Sequence, residues 1–245
     1  MRKFFLIVSI FLINFINAQD ESAPEFRGED ETGIWYMYFG MNQIAERWSI
    51  HTEAQFRYYE TSSNFNQLLL RTGANYHLNP NAIATGGYAF INTDPDFSDT
   101  RIIFGDILVE DIRIKEHRIF QQFILKNKVW EFLFEHRYRL EQRFITFGES
   151  GDPDFQKSTQ HRARYRIQAT LPLTNTLFLN FYDELFINLQ DNLFGQNRLY
   201  GALGVHLTDN SSVQFGWLRN QFSNAVFDRF QIGFFFNPDL RKKSK

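Results

Sequence analysis

The sequence predicts an all-β protein, an up-and-down antiparallel transmembrane β-barrel of about 12 strands with a polar, charged lumen; about 10 strands is the alternative. Long segments alternate between apolar and ionic residues with a period of two, which indicates strands. The composition joins 29 Phe and 18% aromatic residues to a mean hydropathy of −0.37. A membrane barrel explains both, because half of each strand faces lipid and half faces a polar interior.

The first element is a predicted secretory signal peptide over residues 1–18. Arg2 and Lys3 precede an apolar run from Phe4 to Ile16, and a small residue, Ala18, offers a cleavage point. A membrane-anchoring helix is the alternative, but the apolar run is short for a span and no basic stop-transfer cluster follows it. Residues 19–32 are then an acidic, flexible lead-in to a barrel over 33–236. A basic periplasmic tail over 237–245 follows.

Charge and cysteine content exclude several classes of protein. The chain has no cysteine, so disulfides, thiol chemistry and a lipid-modified N-terminal cysteine are excluded. Without Arg2 and Lys3, the 26 Lys+Arg fall to 24 against 28 Asp+Glu, a net charge of about −4 for the mature chain. This balance argues against a nucleic-acid-binding protein.

The clearest predicted strand is 129–144. Its even positions, beginning with Trp130 and Phe134, are mostly aromatic, and its odd positions are mostly charged. A helix is the rival reading, since Glu and Arg favour helices. At helical spacing, however, Arg137 and Glu141 would fall on the same stripe as the two aromatic residues, so the strand reading is preferred.

The same alternation recurs along the chain. Many of the runs reach the roughly 9–11 residues that a tilted strand needs to cross a bilayer, whereas strands of soluble proteins average about 5–6. The segments are 33–43, 48–59, 67–77, 159–171, 198–207, 213–220 and 229–236.

The connections alternate in length. Short turns are predicted at 45–47, 78–81, 127–128, 173–175 and 208–210, and longer polar loops at 61–64, 92–100, 145–158, 188–196 and 221–225. Outer-membrane barrels have short periplasmic turns and longer outer loops. The pattern therefore predicts a periplasmic C-terminus.

The strand number follows from a parity rule. About 11 strands can be counted from Gly33, but single-chain bacterial barrels use even numbers. Because 33–43 would run toward the periplasm, either 24–32 forms an irregular first strand or it threads the lumen. Residues 101–115 are ambiguous between an outer excursion and part of the next strand. We therefore predict 12 strands.

The polar faces of these strands carry the candidate functional residues. Cross-strand pairing of glutamates with arginines would make a salt-bridge network that fills a narrow lumen. Alternatively, the arginines would line a path for anionic solutes. The predicted lumen network is Arg57, Arg71, Glu131, Glu135, Arg137, Arg139, Glu141, Arg143, Arg162, Arg164, Arg166 and Glu184.

Aromatic residues and histidines make up the remaining candidates. Trp35, Trp48, Trp130, Tyr138 and Trp217 are predicted to anchor the barrel at the membrane interfaces. The six histidines show no metal-ligand spacing, although His77 and His206 could approach each other at the turn end. No metal and no cofactor are predicted.

Four segments together resemble domain-of-unknown-function family 2490, a family of exported proteins of Bacteroidetes-type bacteria. They are GIWYMYFG at 33–40, QLLLRTG at 67–73, HRIFQQ at 117–122 and HRYRLEQRF at 136–144. The resemblance covers nearly the whole mature chain. It implies an outer-membrane location and no activity or catalytic residue.

The functional prediction is an outer-membrane barrel that is not an enzyme and serves either as a structural protein or as a narrow solute channel. Its predicted partners are outer-membrane lipid and the barrel-assembly machinery, which would read the aromatic-ended strand at 230–236, and no nucleic acid. A membrane-embedded lipid hydrolase or acyltransferase is one alternative, with His136 and His161 noted on the lipid-facing rows. A soluble periplasmic barrel that holds a small ligand is the other.

Overall fold

A computed structural model describes residues 32–61, 63–94, 102–104, 107–109, 113–151, 155–190, 192–223 and 225–241. The predicted signal peptide and all of the acidic lead-in except Thr32 lie outside these ranges, so both remain predictions. The described ranges contain no helix that is long and apolar enough to cross a membrane.

The described chain is a closed β-barrel, which confirms the all-β, up-and-down fold class. Neighbouring strands pair antiparallel around the barrel, except at the seam where the first and last strands meet. The strands are β1 Gly33–Gln43, β2 Trp48–Tyr58, β3 Phe65–Asn79, β4 Ala82–Thr93, β5 Ile102–Phe104, β6 Ile107–Val109, β7 Ile114–Val129, β8 Phe132–Phe147, β9 Gln156–Pro172, β10 Leu177–Asn188, β11 Phe194–Thr208, β12 Ser211–Gln221 and β13 Val226–Phe236.

The barrel wall has 11 strands, so the predicted count of 12 and the alternative of 10 are both wrong. With an odd number, β1 and β13 run in the same direction, and they close the barrel as a parallel pair from Gly33↔Arg229 to Gly40↔Phe236. Parallel strands form evenly spaced hydrogen bonds, so closure needs no further strand before β1. The parity rule therefore added a strand that the closure does not require.

Two local predictions are also resolved. β5 and β6 form a separate two-stranded hairpin, and β7 begins at Ile114, so the ambiguous segment contains an excursion between β4 and β7. The turn predicted at 127–128 is wrong, because β7 continues to Val129 and the chain reverses at Trp130–Glu131. Trp130 adopts a left-handed φ of 55°. This conformation is rare for tryptophan, so the residue type did not predict a turn here.

Side chains divide between the two faces of the wall by parity. In β8, Arg139 and Glu141 are 3% and 1% exposed inside the barrel, whereas their neighbours Tyr138 and Leu140 are 47% and 49% exposed outside it. Alternation of this kind follows from the pleat, which sends successive side chains to opposite faces. Charged residues therefore lie inside, as predicted.

One part of the inner face is apolar. Trp35 packs with Tyr200, Ala202 and Leu218, which come from β1, β11 and β12. Gly216 makes room for this cluster, since a Cβ atom at that position would lie 2.5 Å from the Tyr200 ring. The cluster gives the wall around Trp35 a rigid base.

The start of the predicted tail continues the barrel. The Gln43 N–H donates to the Pro238 carbonyl at 2.9 Å, and the Leu240 N–H donates to the Gln43 carbonyl at 2.8 Å. Residues 238–240 thus lie beside the end of β1, on the same side of it as β13. Their predicted periplasmic location stays a prediction.

Candidate functional site: the arginine-lined lumen

The barrel encloses a cavity of about 1010 Å³. Its lining runs from Gln190 and Phe222 near the loop end to Met41 and Ser212 near the turn end. Ligand pockets of proteins usually measure about 300–1,000 Å³, so this space is at the upper end of that range. The lumen is therefore not completely filled by side chains.

Arginine dominates the charge of this lumen. Eleven arginines line the cavity, and five glutamates lie on the inner faces of the described strands. The arginines are Arg57, Arg71, Arg118, Arg137, Arg139, Arg143, Arg162, Arg164, Arg166, Arg198 and Arg229, and the glutamates are Glu53, Glu116, Glu135, Glu141 and Glu184.

The structure places all but one of the predicted network residues on the inner face. The exception is Glu131, which is exposed in the turn between β7 and β8. The inner residues are Arg57, Arg71, Glu135, Arg137, Arg139, Glu141, Arg143, Arg162, Arg164, Arg166 and Glu184.

Sequence reasoning missed several inner charges. Glu116 and Arg118 share the inner face of β7 with Phe120 and Ile124, so that face did not stand out as polar. Arg198 lies in a segment recognised as alternating, and its parity alone could have placed it inside. Arg229 has the same signal in β13.

The first arrangement of charge is centred on Glu141. Its Oε2 accepts from Arg162 Nη2 at 2.7 Å, and its Oε1 accepts from Arg164 Nη1 at 2.8 Å and from Arg118 Nη1 at 3.4 Å. Glu141 is 1% exposed. A carboxylate buried to this degree is tolerated only when it is paired and hydrogen-bonded, and here three guanidinium groups do so.

Two further glutamates extend this arrangement. Glu184 accepts from Arg137 Nη2 at 2.6 Å and from Arg164 Nε at 3.0 Å, so Arg164 joins it to Glu141. Glu116 accepts from Arg118 Nε at 2.7 Å and from Arg143 Nε at 2.8 Å. These contacts connect β7, β8, β9 and β10, and we call this part the carboxylate-paired wall.

A second arrangement holds arginine with neutral amides. Arg57 Nε and Nη2 donate to the Gln55 side-chain oxygen at 3.1 and 2.6 Å, and Nη1 donates to the Gln67 oxygen at 2.6 Å. The guanidinium carbon of Arg57 lies 3.8 Å from the ring centroid of Trp35. No carboxylate of the described residues lies within 4.0 Å of the Arg57 nitrogens.

Arg198 repeats the arrangement. With the Gln196 amide oriented so that its oxygen faces the arginine, that oxygen accepts from Arg198 Nε at 2.9 Å and from Nη2 at 3.0 Å. Arg198 Cζ lies 5.3 Å from the centroid of Trp35, and it has no ion pair among the described residues. We call Arg57 and Arg198 the amide-held pair. In each case the holding glutamine stands two residues earlier in the same strand.

Arg139 combines features of both arrangements. Its Nε donates to the Gln122 side-chain oxygen at 2.8 Å, while Nη1 lies 3.7 Å from Glu141 Oε1. Nη1 is buried and has no hydrogen-bond partner among the described residues. Leaving a buried N–H donor without a hydrogen bond costs free energy, so this donor could bind an acceptor that enters the lumen.

The predicted interface aromatics divide into two sets. Trp48, Tyr138 and Trp217 are 46%, 47% and 49% exposed on the outer face, and Trp130 is 60% exposed in its turn. Trp35 is only 6% exposed and lies in the lumen under Arg57, so the interface role predicted for it is wrong. Aromatic residues occupy both parities of β1, and only the register of the strand decides which face the barrel.

The pairing of β2 with β3 also brings together a serine and a histidine that sequence reasoning did not pair. Ser49 Oγ lies 2.8 Å from His77 Nε2, and Asn75 Nδ2 donates to Ser49 Oγ at 3.0 Å. Ser49 is 0% exposed, and no Asp or Glu of the described residues lies within 4.0 Å of His77. A serine nucleophile needs access to substrate and an oriented base, so this contact does not form a hydrolase site.

The other histidines form no cluster. His136 Nδ1 lies 2.9 Å from the Tyr165 hydroxyl on the outer face, and His206 packs against Phe178 with centroids 4.6 Å apart. Within the part of the chain that the structure describes, no group of three or more His, Cys, Asp or Glu could hold a metal ion.

Comparison with known proteins gives one informative result. No curated protein and no solved structure matches the chain. A family model described as "Protein of unknown function (DUF2490)" matches residues 32–231, which include nearly the whole barrel. The match confirms the family resemblance seen in the sequence. The chain belongs to the DUF2490 family.

Proposed function

We propose that this protein is an integral outer-membrane β-barrel whose lumen is a narrow, anion-selective passage. The observation that carries the proposal is the charge of the interior, where, among the residues that the structure describes, eleven arginines line the cavity against five inner glutamates. A purely structural network would need only enough arginine to pair the glutamates. The excess favours a lumen that attracts anions.

The outer surface supports a membrane location. Large apolar side chains are 36% exposed or more on outward positions of every wall strand except β9, for example Phe56, Leu140, Phe181 and Phe215. Soluble monomers rarely expose contiguous apolar patches larger than a few hundred Å². The wall strands have 11 to 17 residues, enough to cross a bilayer at a tilt.

Aromatic pairs near both ends of the barrel support interface anchoring. Trp48 packs on Tyr76 at 5.0 Å near the turn end, and Tyr36 packs edge-to-face on Tyr58 at 6.0 Å near the loop end. Two such belts are typical of outer-membrane barrels. The short turns would then face the periplasm. The predicted signal peptide and the outward phenylalanines of β13 fit export and assembly by the barrel machinery.

The test is conductance across a planar bilayer that contains the purified, heat-modifiable protein. Under a KCl gradient we expect small channels whose reversal potential has the sign of chloride permeability. As a control, Arg219→Gln should leave the reversal potential unchanged. Arg219 pairs with Asp228 and is not among the residues that line the cavity. Cation selectivity, or the absence of conductance steps, would contradict the passage. Release from cells without detergent would contradict the membrane location.

A further inference from the structure

We propose that the amide-held pair, Arg57 and Arg198 on Trp35, forms a discrete binding site for an oxyanion solute that carries a phosphate or carboxylate group. The inference rests on the proposed function, because it names the chemical class of solute that the lumen would select. Trp35 and Arg57 lie across the barrel from β8 and β9, whereas Arg198 lies on β11, next to β10 of the carboxylate-paired wall, with its Cζ also 4.8 Å from the Phe186 ring centroid. The residues of the site come from β1, β2 and β11.

Arg57 has N–H donors that its protein partners do not use. A guanidinium group has five N–H donors, and the amide oxygens of Gln55 and Gln67 use three of them. Two donors remain on a side chain that lines the cavity. A pair of guanidinium donors matches the two oxygens of a carboxylate or phosphate edge.

The amide-held pair differs from Arg164 in the charge of its hydrogen-bond partners. Arg164 is neutralised by Glu141 and Glu184, whereas the partners of the amide-held pair are neutral amides. An amide accepts a hydrogen bond but brings no negative charge. Arg57 and Arg198 therefore keep their positive charge at the cavity surface, where an anion can compensate for it.

The packing of Trp35 holds the Arg57 side chain in a fixed orientation. Trp35 lies 3.8 Å from Arg57 and is held from behind by Tyr200 and Leu218. Stacking on an aromatic face fixes the plane of the guanidinium group and leaves its edge free. A site whose side chains are already oriented loses less entropy when a ligand binds.

The guanidinium groups of Arg57 and Arg198 lie close to each other. The Cζ atoms of Arg57 and Arg198 lie 3.8 and 5.3 Å from the same ring centroid, which limits their separation to about 9 Å. Two cations within this distance repel each other, and an anion bound between them would offset the repulsion. Charge-assisted hydrogen bonds of about 2.8 Å on both sides of a tetrahedral or dicarboxylate anion span a gap of this size.

The experiment measures binding without relying on conduction. The full-length protein in detergent is titrated with inorganic phosphate, with citrate and with chloride, and binding is followed by calorimetry. We expect saturable binding of phosphate or citrate, and the stronger of the two identifies the preferred group. Chloride should give no saturable signal at the same concentrations.

Two variants test the site itself. Arg57→Gln and Arg198→Gln should each weaken the stronger oxyanion at least tenfold. Arg143→Gln is the matched control, because it removes the same charge from the lumen while Glu116 keeps its contact with Arg118 at 2.7 Å. It should change the affinity by less than threefold. Heat-modifiable gel mobility shows that each variant is folded.

The outcomes separate this inference from the proposed function. Equal weakening in all three variants would mean that the lumen attracts anions diffusely, which overturns the discrete site and leaves the passage standing. A folded wild-type protein that binds neither phosphate nor citrate would also overturn the site. Saturable binding in a barrel that does not conduct would support the site and remove the passage.

Discussion

The two sides of the lumen use the same residue type in different ways. On the carboxylate-paired wall, Arg162 and Arg164 both pair with the almost fully buried Glu141, which offsets part of their charge. On β2 and β11, Arg57 and Arg198 are held by glutamines and keep their charge. Arginine thus belongs to a buried ion-pair network where its acceptors are carboxylates, whereas Arg57 and Arg198 are held by amides and have no ion pair among the described residues.

Strand length follows this division only in part, since β10 of the carboxylate-paired wall has 12 residues and β11, which carries Arg198, has 15. β7, β8 and β9 have 16, 16 and 17 residues, whereas β1 and β2 have 11 each. The long strands carry rows of alternating Glu and Arg, whose cross-strand pairing stabilises the sheet. The short strands carry fewer inner charges, and the space in front of them belongs to the cavity.

The largest expected effect comes from Glu141→Gln. The change leaves Arg162 and Arg164 without their shared carboxylate, and breaking a buried ion pair costs about 3–5 kcal/mol. Urea unfolding, followed by heat-modifiable gel mobility, measures the loss. Glu131→Gln is the matched control, since Glu131 is exposed in a turn and should change stability by less than about 0.5 kcal/mol. Similar losses for both variants would contradict the structural role of the paired wall.

A direct comparison of the two sides is the second prediction. Arg164→Gln removes a partner of both Glu141 and Glu184 and should cost about 2–3 kcal/mol of unfolding free energy. Arg57→Gln removes hydrogen bonds to amides only and should cost about 1 kcal/mol, because cavity water can replace them. Equal costs in the same urea titration would remove the distinction between the walls.

Gln196→Glu would convert one side into the likeness of the other. The new carboxylate would lie where the amide oxygen now accepts from Arg198 at 2.9 and 3.0 Å, and it would neutralise that arginine. We expect phosphate affinity to fall about tenfold, which corresponds to roughly 1.4 kcal/mol.

Gln214→Glu is the control for this substitution, since Gln214 also lines the cavity but pairs across the sheet with Gly204 and Gly233 rather than with the amide-held pair. Phosphate titration of both variants in parallel separates local neutralisation from a general change in lumen charge. An equal fall in affinity would argue that only the total charge counts.

The smallest expected effect is that of Trp35→Phe. The smaller ring keeps an aromatic face under Arg57 but reduces the area of stacking. The Cζ atom of Arg57 now lies 3.8 Å from the Trp35 ring centroid. A desolvated cation–π contact contributes about 2 kcal/mol, and because the phenyl ring keeps part of it, phosphate affinity should fall by roughly two- to fivefold. Trp217→Phe, a change on the outer face, should leave the affinity as it is. A larger loss in the outer variant would contradict the assignment of Trp35.

Sequence reasoning reached the fold and most of the candidate site through one regularity. Alternation with a period of two depends only on the pleat of a strand, so it placed Arg139 and Glu141 inside and Tyr138 outside. It failed where both parities carry the same residue type, as with Trp35, and where apolar residues dilute the polar face, as with Glu116 and Arg118.

The sequence by itself determined the strand pattern, the charged interior and the family, because these follow from local periodicity and composition. Only the tertiary structure decided the number of wall strands, the parallel closure of β1 on β13 and the partner of each arginine. The closure depends on two strands far apart in sequence, and the partner of each arginine depends on the register of its strand with the neighbouring strands. Arg164 meets Glu141 and Glu184 because β9 lies between β8 and β10, whereas Arg57 and Arg198 converge on Trp35 only when the barrel closes.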